Sequence, residues 1–187
     1  MNMNLTAGHR RLARTACIFL TSIGFFSAAG AGNISFHMES LKEIREKNVV
    51  MQRWDTSCAA AALATVLTYG FDSPVSEFFI ADTMLKMTQA QKVIARRGFS
   101  LLDMSRFVET VGYRGQAYQH LSLEDLKLFH APIVPIRVYG YNHYVVVNAF
   151  VADKVLLADP AFGNRAMSVS QFKEVWMDGI AFIVTTQ

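Results

Sequence analysis

The sequence predicts an α+β fold in which N-terminal helices pack on an antiparallel sheet. Helix-forming patterns with capping residues dominate residues 58–129, and β-branched runs dominate residues 133–186. The turn at Ala152–Asp153 is so short that the strands on either side of it are expected to pair antiparallel. Residues 49–187 are therefore expected to form one domain with a substantial hydrophobic core.

Helices are predicted where a capping residue precedes an apolar run. The first begins at Cys58, after Thr56 or Ser57, and runs through alanine-rich sequence to about Thr68, with Gly70 ending it. The others are Ser76–Met87, Leu101–Val111 after Ser100, and Leu123–Phe129 after the capping pair Ser122 and Asp125. The positions expected to face the core in the second helix are Phe78, Phe79, Ala81, Leu85 and nearby apolar residues.

The rest of the domain is expected to be mostly β-structure, because its apolar runs are short and β-branched. The predicted strands are Tyr113–Gln119, Ile133–Tyr139, His143–Val151, Val155–Ala158 and Gly179–Thr186. A short helix is predicted at Ser170–Trp176, and Gly163–Asn164 is interpreted as a turn.

Residues 1–31 have the layout of a secretory signal peptide. A basic segment precedes the short apolar run Ala16–Phe26, and small residues follow it. Cleavage is expected near Ala31, with Ala29 as the competing site. An uncleaved anchor is disfavoured because the apolar run is short for a membrane span. Residues 32–48 are expected to form an arm and a short helix, and the processed protein is expected to be periplasmic.

Charge and cysteine content exclude several classes of function. The chain has 18 Lys and Arg against 15 Asp and Glu, but Arg10, Arg11 and Arg14 lie in the signal region, which holds no acids. The remaining 15 basic residues balance the 15 acidic ones, so nucleic-acid binding is not expected. Because Cys17 would be removed with the signal, Cys58 is expected to be the single thiol, with no disulfide within the chain. No His, Cys and Asp spacing suits zinc, and no metal or other cofactor is expected.

The most informative stretch runs from Gln52 to Cys58 and reads Q-R-W-D-T-S-C. It places a thiol at the start of a helix, where the positive end of the helix dipole favours the reactive thiolate. Taken alone, such a cysteine is more often a buried structural residue. The residues downstream favour a catalytic role.

Thiol acyl transfer requires a base, a group that orients the base, and oxyanion donors. His143 opens a strongly apolar strand, and Asp159 ends the next one. Because the turn at Ala152–Asp153 joins the two strands, their distant ends are expected to meet and Asp159 to reach the His143 ring. Gln52 lies six positions before Cys58, where its amide N–H can point toward the oxyanion, with the Cys58 backbone N–H as the second donor.

These residues resemble the peptidase C39 family, whose papain-like domains are best known at the N-termini of bacteriocin-exporting ABC transporters. The family pattern is a Gln, a Cys that opens a helix, a Gly-His-Phe/Tyr-Val-Val strand and then Asp-Pro. The matching residues are Gln52, Cys58, His143–Val146 and Asp159–Pro160. Further similar segments are Gly98–Leu101, Leu123–Leu126, Pro132–Ile133 and Phe172–Trp176, so the resemblance covers roughly residues 49–184.

The resemblance implies a papain-like α+β fold and a cysteine endopeptidase that needs no cofactor. It assigns Cys58 as nucleophile, His143 as general base and acid, Asp159 as the orienting group and Gln52 as an oxyanion donor. The implied partner is a protein or peptide substrate, such as a secreted fibre subunit or a secretion-pore component, because the chain looks closest to exported relatives that accompany functional-amyloid export systems.

The sequence departs from the family pattern near the expected site. Ser57 and Ala59 flank the nucleophile where the family has Asp and Gly, and Asn142 stands where the family has Gly before the His. The transporter-linked enzymes cut after a double glycine in the cytosol, so that specificity does not carry over to an exported chain.

Two alternative functions keep the same fold. The first is a non-cleaving module that binds export substrates or docks on a secretion apparatus, against which the presence of Cys58 argues. The second keeps the Cys-His-Asp set but changes the reaction, to amide hydrolysis in peptidoglycan or to transpeptidation.

Overall fold

The computed structural model describes residues 38–187, and the predicted signal peptide with its cleavage site lies outside the described residues. In the described range the helices are Leu41–Glu46 (α1), Cys58–Thr65 (α2), Glu77–Met87 (α3), Ala90–Arg96 (α4), Leu101–Thr110 (α5), Leu123–Leu126 (α6) and Val169–Val175 (α7). The strands are Tyr113–Tyr118 (β1), Ile133–Val138 (β2), Tyr141–Val151 (β3), Lys154–Asp159 (β4), Gly163–Ser168 (β5) and Ala181–Thr186 (β6). A π-helical turn, Val66–Gly70, continues α2.

The strands form a single sheet in the order β1-β6-β2-β3-β4-β5, in which neighbouring strands run antiparallel. Side chains on the two faces of a strand alternate, so each face contributes to a different core. One core joins α2, α3 and α5 to the sheet through residues such as Val146 and Ala158. The other joins α6 and α7 to the sheet through Val145, Val147 and Leu157. The fold is α+β, as the sequence predicts.

Helix α2 is buried along its whole length, which explains its alanine-rich sequence. Residues Ala59–Ala62 have no exposed surface, and Leu63 is also fully buried. Small side chains let the helix lie close to the sheet and to neighbouring helices without leaving cavities. The first residue of this central helix is Cys58, which is 5% exposed.

The buried face of α3 differs from the sequence prediction. The predicted core positions Phe78, Phe79 and Leu85 are exposed, and Ala81 is only partly buried. The side chains that face the core are Glu77, Ile80 and Met84, spaced at three and four residues as one helical face requires. The prediction was wrong because the helix has more apolar side chains than one face can hold, and because its buried face includes a carboxylate.

Two elements were absent from the sequence prediction. Helix α4 buries only Val93 and has no side-chain cap, so it lacks both signals by which a helix is found in sequence. Strand β5 replaces the turn that was predicted at Gly163–Asn164, which was therefore wrong. It is an edge strand without an apolar run, and it forms because its backbone pairs with β4 from Lys154 to Asp159.

A β-bulge at Asn148 sets the register between β3 and β4. On the turn side Ala149 pairs with Leu156, whereas beyond the bulge Val147 pairs with Leu157. One extra residue in β3 changes which side chains of the two strands share a face. Continued without the bulge, the register would put His143 and Asp159 on opposite faces of the sheet.

No helix within residues 38–187 is both long enough and apolar enough to cross a lipid bilayer.

Candidate active site

The segment before α2 is a tight turn that presents Cys58 at the N-terminus of the helix. The Ser57 backbone N–H donates to the Trp54 carbonyl at 3.1 Å, and the Trp54 backbone N–H donates to the Ser57 hydroxyl oxygen at 3.3 Å. Ser57 is therefore the N-cap residue by position, but its side chain closes the preceding turn and does not cap the helix. The first-turn N–H groups of α2 stay directed toward the space in front of Cys58.

A buried carboxylate from α3 holds this turn in place. Glu77 is 4% exposed, and its Oε1 accepts from the Arg53 backbone N–H at 2.9 Å and from the Ser57 hydroxyl. These two bonds cross from α3 to the segment on either side of Trp54. The sequence prediction missed Glu77, because an acidic residue at the start of a helix is common and gives no sign of a contact with Ser57.

Gln52 lies on the same segment, and its backbone N–H donates to the Pro160 carbonyl at 2.8 Å. Its side-chain Nε2 donates to the Trp54 carbonyl at 3.1 Å. Its Oε1 is buried and has no hydrogen-bond partner among the described residues. Turning the amide over would set two carbonyl oxygens against each other, so the second N–H of Nε2 is the donor left for a ligand.

His143 and Asp159 meet at the ends of two paired strands. His143 Nε2 lies 2.7 Å from Asp159 Oδ1, with the His143 side chain 14% exposed and Asp159 fully buried. In the register that the Asn148 bulge sets, both residues follow the last β3–β4 pair, Val146 with Ala158, and they meet diagonally across the two strands. The sequence prediction that Asp159 reaches the ring therefore agrees with this distance.

The Cys58 thiol lies close enough to the His143 ring to raise its pKa. Because Nε2 is bonded to Asp159, Nδ1 is the ring nitrogen left for the thiol. Burial alone would lower the pKa of His143, but hydrogen bonds and charge interactions with Asp159 and Cys58 outweigh burial and raise it from 6.5 to about 9. With a pKa of about 9, the ring is an imidazolium at neutral pH and lies against the Asp159 carboxylate.

Arg165 on β5 completes the environment of Asp159. Arg165 Nε donates to Asp159 Oδ2 at 2.7 Å. Arg165 Nη2 lies 2.7 Å from the same oxygen in ion-pair contact and has no hydrogen bond to any residue of the range 38–187. The Ala161 backbone N–H donates to Oδ1 at 2.9 Å. Burial alone would raise the pKa of Asp159, but His143, the Ala161 N–H and Arg165 together hold it below its usual value of 3.8.

Arg165 was missed by the sequence prediction because it lies on the strand that was read as a turn. In the β4–β5 register it pairs with Leu157, two residues from Asp159 on the same face. Its guanidinium also covers the Phe162 ring, 5.4 Å from the ring centre, which limits the orientations open to it.

A cleft of about 1030 Å³ opens beside His143. Its walls come from the turn before Cys58, the end of α4, the β2–β3 hairpin and the segment after Asp159. The lining residues are Asp55, Thr56, Ala95, Arg96, Arg97, Arg137, Val138, Gly140, Tyr141, Asn142, His143, Ala161 and Phe162. In residues 38–187 no three His, Cys, Asp or Glu side chains are grouped so that they could hold one metal ion.

Curated relatives with similar sequences share one description. The chain is 34% identical over 168 residues to a probable functional amyloid protease FapD of Pseudomonas aeruginosa, covering 89% of this chain and 73% of that protein. It is 35% identical over 179 residues to a probable functional amyloid protease FapD of Pseudomonas fluorescens, covering 91% and 78% respectively.

Solved structures with the same fold are peptidase domains. The peptidase domain of Streptococcus ComA, a bifunctional ABC transporter of a quorum-sensing pathway, has a TM-score of 0.62 at 21% identity, covering 74% of this chain and 98% of that domain. A double-glycine-motif protease from an AMS/PCAT transporter, solved with its leader peptide, has a TM-score of 0.61 at 24% identity, covering 74% and 91%.

The model of the peptidase C39 family matches residues 46–187, which is most of the chain and all of the sheet. This match agrees with the names of the curated relatives and with the fold of the solved domains. The chain therefore belongs to the peptidase C39 family and is a cysteine peptidase.

Proposed function

We propose that the protein is an exported endopeptidase that cleaves a secreted protein or a component of a secretion system through Cys58, His143 and Asp159. The observation that carries the proposal is the 2.7 Å contact between His143 Nε2 and Asp159 Oδ1, with Cys58 near enough to the same ring to raise its pKa. A nucleophile, a proton carrier and an orienting group are the components that thiol acyl transfer requires.

In the proposed reaction the Cys58 thiolate attacks the scissile carbonyl carbon, and the new S–C bond leaves a tetrahedral oxyanion. The second N–H of Gln52 Nε2 and the Cys58 backbone N–H donate to that oxyanion. His143, protonated in the ion pair, gives its proton to the leaving amine as the C–N bond breaks. The neutral ring then takes a proton from water as the hydroxyl adds to the thioester carbon. Breaking the C–S bond releases the second product and restores the Cys58 thiolate beside protonated His143.

Asp159 and Arg165 act in this scheme through His143. Asp159 accepts from Nε2 and so directs Nδ1 at the sulfur, while its negative charge stabilises the imidazolium. Arg165 keeps Asp159 ionised in its fully buried position, because an unpaired carboxylate at that depth would take up a proton instead.

The proposed substrate class and location rest on the relatives and on residues 1–31. The curated relatives are named functional amyloid proteases, which favours a fibre subunit or a component of its export pore as substrate. The signal-like N-terminus favours a periplasmic enzyme. Fusing residues 1–37 to alkaline phosphatase, which is active only after export, tests the location, and an inactive fusion that is stably expressed would contradict it.

The reaction is tested by incubating the purified protein, without its signal region, with fibre subunits and pore proteins from its own source. Intact-mass spectrometry should show one or a few defined cuts that Cys58→Ala abolishes. Gln52→Ala should reduce the rate on the order of a hundredfold, the effect of losing one oxyanion donor. Cleavage that persists in Cys58→Ala would contradict the proposed nucleophile.

Thiol labelling separates an enzyme from a binding module with the same fold. Iodoacetamide should alkylate Cys58 rapidly near neutral pH and abolish activity, because a catalytic thiol is reactive where a buried structural thiol is inert. His143→Ala should slow the labelling. A thiol that labels slowly in the folded wild type, together with tight binding of uncut substrate, would favour the non-cleaving module instead.

A further inference from the structure

We propose that Arg97 and Arg137 recognise an acidic side chain of the substrate close to the scissile bond. The inference rests on the proposed function, since it names a substrate feature for the same cleft. The cleft opens beside the proposed general acid and base His143, and its lining combines three arginines with one carboxylate, that of Asp55.

The three arginines are not equivalent. Arg96 Nη2 lies 3.5 Å from the carboxylate of Asp103, and Arg96 Nε donates to the Lys92 carbonyl at 3.0 Å, so its charge is largely satisfied within the protein. No carboxylate within residues 38–187 comes within 4.0 Å of the Arg97 or Arg137 nitrogens. The carboxylate of Asp55, which lines the same cleft, is therefore also farther away than 4.0 Å. Two unpaired guanidinium groups therefore face one carboxylate in the cleft.

Arg97 is held in place by two features. Its backbone adopts the left-handed conformation, with φ 56° and ψ 39°, as it closes α4 ahead of Gly98. Its guanidinium lies over the Tyr141 ring, 5.2 Å from the ring centre. Left-handed backbone is unfavourable for arginine and common for glycine or asparagine, so helix termination alone does not call for this side chain. Stacking on Tyr141 directs the charge along the wall of the cleft.

Arg137 lies on the same wall, because the β2–β3 hairpin carries both it and Tyr141. It pairs with Asn142 in the sheet, one residue from His143. Its side chain is exposed, so its donors are available to a ligand. A guanidinium presents several N–H groups in a plane that matches a carboxylate, which makes glutamate or aspartate the side chain that this wall fits.

The test compares peptides that differ by one carboxylate. A synthetic peptide library randomised over eight positions is digested, and cut sites are read by mass spectrometry. The best sequence is then resynthesised with Asp or Glu, and with Asn or Gln, at the enriched position. We expect the acidic peptide to have a kcat/KM about tenfold higher, the range of one charge-assisted hydrogen bond. Equal values for the two peptides would overturn the proposal.

Variants assign the preference to the two arginines. Arg97→Gln and Arg137→Gln should each reduce the preference, measured as the ratio of kcat/KM for the acidic and the neutral peptide. The exposed Arg114 on β1 provides a matched control, Arg114→Gln, which should keep both the preference and the rate on the neutral peptide. Arg137→Glu should instead favour a peptide with lysine at that position, which a misfolded variant could not do. A preference that survives in the double variant Arg97→Gln/Arg137→Gln would overturn the proposal.

A binding measurement keeps this inference separate from the proposed reaction. Cys58→Ala protein is titrated into a fluorescent peptide containing a Glu-rich segment and into its Gln counterpart. Tighter binding of the acidic peptide supports recognition by the arginines even if no peptide is cut, and equal binding contradicts it. Loss of all cleavage with a preserved binding preference would contradict only the proposed reaction.

Discussion

At the scale of single residues, His143 determines how the site responds to pH. Its pKa of about 9 lies above the 6.5 of an unfolded chain because Asp159 and Cys58 favour the imidazolium more than burial disfavours it. Protonated His143 therefore contributes stability that is fully present below pH 6.5 and is lost as the pH rises through about 9.

We expect kcat/KM to fall on the alkaline side with an apparent pKa near 9, as His143 loses the proton that the leaving amine needs. Asp159→Asn should move this limb toward 6.5, because it removes the negative charge beside Nε2. The measurements are the pH–rate profile and an NMR titration of the ring in the inactive Cys58→Ala protein, where the shift due to Asp159 remains. A ring in wild-type enzyme that titrates near 6.5 would contradict the ion pair.

Arg165 gives a second prediction at this scale, because it acts on the reaction only through Asp159. Arg165→Met should reduce kcat about 10- to 100-fold, since His143 loses its fixed orientation, and should affect KM much less. It should also raise the pKa of Asp159, so that activity on the acid side is lost at a higher pH than in wild type.

Two variants provide the controls for that prediction. Arg165→Lys keeps the positive charge but cannot present two nitrogens to Oδ2. Compared with Arg165→Met, it should bring the pH of acid inactivation close to the wild-type value but recover less of the wild-type kcat. Arg114→Met removes an arginine from an exposed strand position and should change neither quantity. An acid limb that does not move in Arg165→Met would show that Arg165 has only a structural role.

At the scale of elements, the nucleophile depends on a bond network between its turn and α3. Glu77 binds both the Arg53 backbone and the Ser57 hydroxyl, and Ser57 in turn binds Trp54. The carboxylate that holds this turn is therefore supplied by α3 and not by the turn itself.

We expect Ser57→Ala and Glu77→Gln each to lower kcat about tenfold, because the turn then holds Cys58 less firmly. In a double-mutant cycle for stability, the two changes should be coupled by about 0.5–3 kcal/mol, as neighbours in one buried network are. Urea denaturation of the four proteins measures the coupling. Fully additive effects would mean that the hydroxyl and the carboxylate do not act together.

The elements of the site that have a local sequence pattern could be predicted, and those that depend on strand pairing could not. The helix that starts at Cys58 and the hairpin that joins His143 to Asp159 follow from local patterns, and so they were predicted. No local sequence pattern indicates the bulge at Asn148, although the bulge sets the register that brings the His143 and Asp159 side chains together. Arg165 was missed because β5 is stabilised by pairing with β4 instead of by its own apolar residues.

At the scale of the whole molecule, the short helix α1 is fastened to the edge of the sheet beside the site. Asn164 Nδ2 donates to the Lys47 carbonyl at 2.6 Å. Gly163 has a φ of +76°, and a Cβ at that position would lie 2.5 Å from the Arg45 carbonyl oxygen. The sequence could not predict this contact, since it depends on the close approach of two distant backbones.

Gly163→Ala should destabilise the protein by about 2–4 kcal/mol, because it adds a backbone clash to the strain of a left-handed alanine. Gly112→Ala is the matched control, with a φ of +85° and no atom within 4 Å of the added Cβ, and should cost only about 1 kcal/mol. Urea denaturation measures both. Equal losses would mean that α1 does not press on β5 in solution.

The backbone bond from Gln52 to Pro160 joins the two halves of the catalytic machinery, since one residue precedes Cys58 and the other follows Asp159. The Gln52 amide proton can exchange with deuterium only while this hydrogen bond is broken, so its exchange rate measures how often the two segments separate. We expect slow exchange at Gln52 in wild type and faster exchange in Arg165→Met, measured by NMR on the Cys58→Ala background. Rapid exchange in the unaltered fold would instead describe a site that assembles only when a peptide arrives.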